Sequence, residues 1–109
     1  LFGVFGNNDV ERDALAAASE RHGFRFVDPP LELRWGGRRL VVVHDPHEHA
    51  PDLLHSGDVL LHGHDHTRRL ESVDRTLVFN PGECAGHLEG HNAVGTLDLS
   101  TLDPQLLLF

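Results

Sequence analysis

Three histidines alternate with other residues in the segment LHGHDHT at positions 61–67, directly after an apolar run at 59–61. Neutral imidazole is the commonest protein ligand for first-row transition metals. The three rings share one side of the chain only if the segment stays extended, whereas a bend at Gly63 would let His64 and His66 converge. The segment therefore predicts a metal site at the exit of a buried strand. The alternative interpretation is a solvated polar loop in a histidine-rich chain.

Polar clusters also follow two other apolar runs. Residues 6–9 (GNND) come after the run 1–5, and residues 44–49 (HDPHEH) come after the run 40–43. In open α/β sheets, ligands bind at the edge formed by the carboxyl ends of the strands. We therefore expect the three clusters to meet there and to offer an asparagine oxygen and imidazoles to a divalent transition metal. Candidates for a bridging carboxylate are Asp9, Asp45 and Asp65, and spacing alone chooses no reaction.

Composition limits the function classes. The 109 residues are 39% hydrophobic and 24% charged, enough for one domain with a modest core. Nine basic and seventeen acidic residues give a net charge of −8, which argues against general electrostatic binding of nucleic acid or anionic membranes. Cys84 is the only cysteine, so an intrachain disulfide is excluded. With no signal or membrane-span pattern, we expect a cytoplasmic domain that uses a metal to hold any anionic substrate.

The elements that would position the clusters form a β-rich α/β pattern. Asp9 is expected to N-cap a helix over residues 10–22, which Gly23 ends. A Gly-Gly pair at 36–37 predicts a hairpin between two strands, and the continuous apolar run 40–43 predicts a strand covered on both faces. Residues 50–54 are predicted to form the first turn of a short helix. Asp103-Pro104 is expected to separate the last two strands. Further strands are predicted at 1–5, 24–26, 58–61, 70–73, 76–79, 94–99 and 106–109.

Four ordered motifs resemble a known family. They are Gly-Asn-Asn-Asp at 6–9, a strand-terminal His44, Gly-His-Asp-His at 63–66 and Asn-Pro-Gly-Glu at 80–83. In this order they are similar to the calcineurin-like metallophosphoesterase superfamily, and in detail to its small archaeal and bacterial phosphodiesterases, the group that includes the retromer-subunit-like members. The resemblance covers essentially the whole chain. It implies an α/β fold, a two-sheet β-sandwich flanked by helices, with a two-metal centre at the strand ends.

The same resemblance implies roles for single residues. Those that match metal ligands are Asn7, His44 and His64 for the second metal and His66 for the first. The implied cofactors are two divalent ions, manganese first, with nickel, iron, zinc, cobalt or magnesium as alternatives. The implied activity is metal-dependent hydrolysis of a small-molecule phosphoester.

Other residues are candidates for catalysis and substrate binding. Asn8 stands where more active relatives carry a histidine that protonates the leaving group, which implies slower chemistry or a good leaving group. Asn8 and Asp9 are therefore the candidate catalytic residues, and Arg68 is the candidate phosphate-binding residue. Glu83 is expected to cap or orient a metal ligand, and Cys84 to be a small buried side chain.

The chain departs from the family pattern in two respects. Asp-X-His and Gly-Asp, which supply the remaining ligands in the family, are not found ahead of residue 6. We therefore expect residues 1–109 to be a single domain, the C-terminal portion of a metallophosphoesterase domain lacking its N-terminal part, which pairs with a separate N-terminal half or forms a homo-oligomer. Asp45-Pro46 also replaces the family's Gly-His after His44, and His47 or His49 could take the role of that histidine. The alternative functions are a non-catalytic scaffold or protein-binding module, and a simple metal-binding protein.

Overall fold

The computed structural model describes residues 1–49 and 51–109, which form nine strands and one α-helix. The elements are β1 (Phe2–Val4), α1 (Arg12–Arg21), β2 (Arg25–Val27), β3 (Leu31–Trp35), β4 (Arg38–Val42), β5 (Val59–Leu61), β6 (Arg69–Val73), β7 (Thr76–Asn80), β8 (Ala93–Asp98) and β9 (Asp103–Leu108), with 3₁₀ turns at Pro46–Glu48 and Pro51–Leu53. The predicted β-rich α/β class is confirmed. None of the helices in the described part of the chain has the length and apolar character needed to span a membrane.

A five-stranded sheet of order β3-β4-β5-β7-β6 forms the centre of the fold. Its inner strands β4, β5 and β7 are parallel, and Val41, Leu60 and Val78 are neighbours across them. Together with Val43 these side chains make the buried core cluster, and Val41 is 0% exposed. Leu40, which alternates with Val41, is also buried, so the prediction that this strand is covered on both faces is confirmed.

The remaining strands form two small sheets, a parallel pair β1-β2 and an antiparallel pair β8-β9. The β8-β9 pair lies against the central sheet so closely that a Cβ at Gly95 would be 2.5 Å from Cζ of Phe79. The predicted hairpin at Gly36-Gly37 is also confirmed, because both residues have positive φ and join β3 directly to β4. The parallel arrangement brings the carboxyl ends of β4, β5 and β7 to one edge of the sheet.

The prediction for the start of the helix was wrong. Helix α1 begins at Arg12 with Glu11 at the N-cap position, and no side chain caps it. Asp9 instead accepts a hydrogen bond from the backbone N–H of Gly6 at 2.6 Å, which closes the turn after β1. A short polar side chain can serve either a turn or a helix end, and here the nearer turn takes it.

Three smaller predictions also need correction. Asp103 and Pro104 lie within β9, where Pro104 pairs with Leu97 of β8; proline is tolerated because a two-stranded sheet consists of edge strands. The second helix is a single 3₁₀ turn at Pro51–Leu53, and Ala50 lies outside the described residues. Cys84 is exposed rather than buried.

Arg39 of β4 connects β3, the 3₁₀ turn at Pro51–Leu53 and the residue before β5. Its guanidinium donates to the Glu32 carboxylate at 2.6 and 3.1 Å, to the carbonyl of Leu53 at 3.0 Å and to the carboxylate of Asp58. The hydrogen bond with Glu32 is the main reason that the pKa of Arg39 is raised and that of Glu32 lowered from their ordinary values. Asp58 is buried, and its other contact is the backbone N–H of His55 at 2.7 Å.

We expect Arg39→Met to lower the free energy of unfolding by about 2 kcal/mol, because the buried Asp58 carboxylate loses its cation. Urea denaturation followed by circular dichroism measures this loss. Arg34→Met is the matched control, since Arg34 is exposed directly across the β3-β4 pair, and its cost should stay within about 0.5 kcal/mol. Equal losses in the two variants would contradict the role given to Arg39.

Candidate metal centre

Asn7, His44 and His64 converge where β1, β4 and β5 end. Nε2 of His44 lies 2.6 Å from Oδ1 of Asn7 and 3.1 Å from Nδ1 of His64. Two donors that bind one ion at a right angle, each about 2.1 Å from it, are about 3 Å apart. The two distances from Nε2 of His44 are therefore close to the spacing expected of neighbouring ligands of one ion.

The chemistry of the three atoms also fits a cation. One ring nitrogen of His44 has a single hydrogen or a single lone pair to offer, yet it faces both Asn7 and His64. A divalent ion between them would satisfy all three atoms at once. Two imidazoles and an amide oxygen form a mixed nitrogen and oxygen set that suits a first-row transition metal.

The three side chains line a cavity of about 240 Å³. Asn8 and Asp9, the predicted catalytic residues, and His66 line the same cavity. Asn8 is exposed there, whereas the carboxylate of Asp9 is engaged in the turn with Gly6. The geometry thus leaves the Asn8 side chain available to a ligand in this cavity.

Close packing at Gly6 fixes the position of His44. A Cβ at residue 6 would lie 3.0 Å from two atoms of the His44 ring. Glycine at this position gives the β1 turn room to approach the imidazole closely, and its φ is not in the left-handed region.

The histidine loop bends at residues other than the predicted one. His64 and His66 have φ of 76° and 58°, whereas Gly63 keeps a negative φ. Left-handed backbone at a non-glycine residue costs of order 1 kcal/mol and persists only where surrounding contacts hold it. His62 is buried, and its Nδ1 lies 3.0 Å from the carbonyl of Gly63, so the three rings do not share one side.

Asn80, at the end of β7, supplies the contacts that hold this loop. Its Nδ2 donates to Oδ1 of Asp65 at 2.8 Å and to the carbonyl of Gly63 at 3.3 Å, and its Oδ1 accepts from the N–H of Gly82 at 2.9 Å. The side chain is only 1% exposed. The sequence placed Asn80 in one of the four ordered motifs, but it did not indicate that the amide would reach back fifteen residues to the loop.

The carboxylate of Asp45 lies beside the ring of His64. Its Oδ2 lies 3.4 Å from Nε2 of His64, the ring nitrogen that faces away from His44. The backbone N–H of His47 is the main cause that lowers the pKa of Asp45, and His64 and His44 act in the same direction against partial burial. Carboxylates commonly hold the far nitrogen of a ligating histidine in this way. Neither His47 nor His49 lines the 240 Å³ cavity in the described part of the chain.

Comparison with known proteins identifies the family. The model of the calcineurin-like phosphoesterase superfamily domain matches residues 1–102. The chain belongs to this superfamily. It is 33% identical over 102 residues to a phosphodiesterase of Methanocaldococcus jannaschii, a match that covers 90% of this chain and 61% of that protein. The chain thus spans about three fifths of the length of this curated phosphoesterase relative.

Solved phosphoesterase structures are similar over nearly the whole chain. A novel archaeal phosphodiesterase superposes with a TM-score of 0.79 at 29% identity, covering 99% of this chain and 68% of that one. YfcE, a phosphoesterase from E. coli, superposes with a TM-score of 0.64 at 25% identity, covering 96% of this chain and 62% of that one. The resemblance to the superfamily inferred from the four motifs is confirmed.

A second group of side chains lies beside the cluster of Asn7, His44 and His64. His66 and Arg68 line a neighbouring cavity of about 420 Å³ together with Glu83 and His87. Arg68 is exposed and donates to the carbonyl of His91 at 3.3 Å, so it faces this cavity and does not line the one at Asn7. Sequence reasoning missed His87, although its spacing of four residues from Glu83 was a signal that could have drawn attention to it.

Proposed function

We propose that this protein hydrolyses phosphoesters, with phosphodiesters as the preferred class, at a metal centre bound by Asn7, His44 and His64. The convergence of their three donor atoms carries the proposal. Membership of the superfamily and similarity to phosphodiesterases support the choice of reaction. The net charge of −8 supports a role for the metal, since an acidic protein needs a cation to hold an anionic substrate.

We propose divalent ions as cofactors, two in a complete centre and manganese first. Such ions stabilise charge on phosphoryl oxygens and lower the pKa of a bound water to roughly 7. Asn7, His44 and His64 would hold one ion, with Nδ1 of His64 facing His44 and Nε2 facing the carboxylate of Asp45. His66 is proposed as a ligand of the other, because it lines both the 240 Å³ cavity and the neighbouring one.

Asn8 limits which substrates the centre would process quickly. Its amide can donate a hydrogen bond to an oxygen of the substrate, but it cannot give up a proton at neutral pH. The leaving group must then depart as an anion or take its proton from solvent. We therefore propose that esters with acidic leaving groups are the best substrates.

Hydrolysis of bis-p-nitrophenyl phosphate, with metal content measured on the same sample, tests the proposal. We expect no turnover after chelation, and turnover that rises in parallel with bound Mn²⁺ on titration. The chelated protein is its own control. Unchanged turnover with chelator present would contradict the metal mechanism, and tight metal binding without turnover would contradict hydrolysis by this polypeptide.

A further inference from the structure

His66, Glu83 and His87 bring three further donor atoms together. Oε2 of Glu83 lies 3.6 Å from Nδ1 of His66 and 4.0 Å from Nε2 of His87. Each residue offers a ligand atom within 4.8 Å of the other two. The two imidazole rings are stacked, with centroids 5.3 Å apart and planes inclined by 29°. The carboxylate therefore faces the ring nitrogens of both histidines.

Burial of Glu83 indicates that a cation is needed at this position. Its side chain is 7% exposed, and Oε1 accepts a hydrogen bond from the N–H of Leu88 at 3.1 Å. Oε2 is buried and finds no hydrogen-bond partner among residues 1–49 and 51–109. A buried carboxylate oxygen without a partner is costly, and both imidazole nitrogens are too far away for a hydrogen bond to it.

We propose that His66, Glu83 and His87 bind a divalent transition ion of the zinc class. Two imidazoles and one glutamate are a ligand set found in zinc sites that keep a fourth position open. Neighbouring ligand atoms in a tetrahedral zinc site are about 3.4 Å apart. A movement of about 1 Å by the two rings would bring the three ligand atoms to that spacing. The rings have that freedom, because His66 and His87 are 56% and 65% exposed, whereas Glu83 is fixed.

Glu83 is held in place by its backbone as well as by its side chain. Its carbonyl accepts the N–H of Ala93 at 2.7 Å, which ties the start of the 83–91 loop to β8. The fourth position of the ion would face the 420 Å³ cavity and would be open to water. Because His66 is also the proposed ligand of the second ion of the two-metal centre, the ion bound here would be that second ion. Its binding requires only the three side chains, and it stands whether or not the protein hydrolyses phosphoesters.

Binding of Zn²⁺ and Co²⁺ to the full chain tests the proposal. The measurement uses the His44→Ala variant, which lacks the metal centre at Asn7, His44 and His64. Titration calorimetry measures Zn²⁺ binding, and visible absorption measures Co²⁺ binding. We expect one tightly bound ion and the strong absorption of four-coordinate cobalt. Adding Glu83→Gln should weaken Zn²⁺ binding by more than the roughly 100-fold that loss of an outer partner costs, and should abolish the cobalt band.

Glu89→Gln is the matched control, because Glu89 lies in the same loop, is exposed and carries the same charge. Equal affinity and equal cobalt absorption in the two glutamine variants would overturn the proposal. If circular dichroism shows that Glu83→Gln disturbs the fold, a second pair of variants replaces it. Zn²⁺ binding by His87→Ala is then compared with that by His91→Ala, since both histidines are exposed. Loss of binding in His87→Ala alone supports the site, and equal binding in both overturns it.

Discussion

Replacing His64 with alanine is expected to remove the ion bound at Asn7 and His44, and to lower metal-dependent phosphodiester hydrolysis by more than about 100-fold. His64 supplies one of three convergent donor atoms, 3.1 Å from Nε2 of His44. Without it, one imidazole and one amide oxygen remain, and Asp45 loses its contact with the His64 ring. Metal content and turnover of bis-p-nitrophenyl phosphate, measured together, report both losses.

The control for this variant is His22→Ala, at the exposed C-cap of α1, because His22 lines neither the 240 Å³ nor the 420 Å³ cavity. It should keep the metal content and turnover of the parent protein. Urea denaturation should show that His64→Ala retains its free energy of unfolding within about 0.5 kcal/mol, because the side chain is 41% exposed. A His64→Ala variant that keeps its full complement of metal and its turnover would contradict the assignment.

Replacing Asn80 with alanine is expected to lower both stability and metal affinity. The free energy of unfolding should fall by about 2 kcal/mol, because the N–H of Gly82 and the carbonyl of Gly63 lose a buried partner. Metal affinity should fall 10–100-fold, the usual cost of losing an outer partner, because Asp65 is no longer tied down and His64 and His66 leave their left-handed backbone.

Thr76→Val separates the two effects of Asn80→Ala. Thr76 is buried at the other end of β7, and its Oγ1 donates to the carbonyl of His55 at 3.2 Å. This variant should lose about 1 kcal/mol of stability and keep its metal affinity. If Thr76→Val weakened metal binding as much as Asn80→Ala, general destabilisation would explain both variants and the loop contacts of Asn80 would not.

The parts of the fold that could be predicted from the sequence depend on local patterns. The continuous apolar run 40–43 has no polar residue to face solvent, so a strand covered on both faces follows directly. Gly36 and Gly37 can both adopt positive φ, which a two-residue hairpin needs. The polar clusters that follow apolar runs indicated the strand-end edge, since parallel strands bring such clusters to one side.

The features of the fold that could not be predicted from the sequence depend on contacts between distant residues. Judged from the local sequence, Asp9 is a good helix cap. In the fold its carboxylate instead accepts the N–H of Gly6, in the turn that packs against the His44 ring. The left-handed backbone at His64 and His66 is disfavoured locally and is held by Asn80 from another strand. Glu83 in a polar loop is likewise held by the hydrogen bonds that it accepts from the N–H groups of Leu88 and Ala93.

Anomalous diffraction can show whether Asn7, His44 and His64 bind one metal ion. Crystals of the full chain grown with Mn²⁺ would be measured on both sides of the manganese absorption edge. We predict an anomalous peak within about 2.3 Å of Oδ1 of Asn7, Nε2 of His44 and Nδ1 of His64. A manganese peak elsewhere in the protein, with these three atoms bonded only to one another or to water, would contradict the claim.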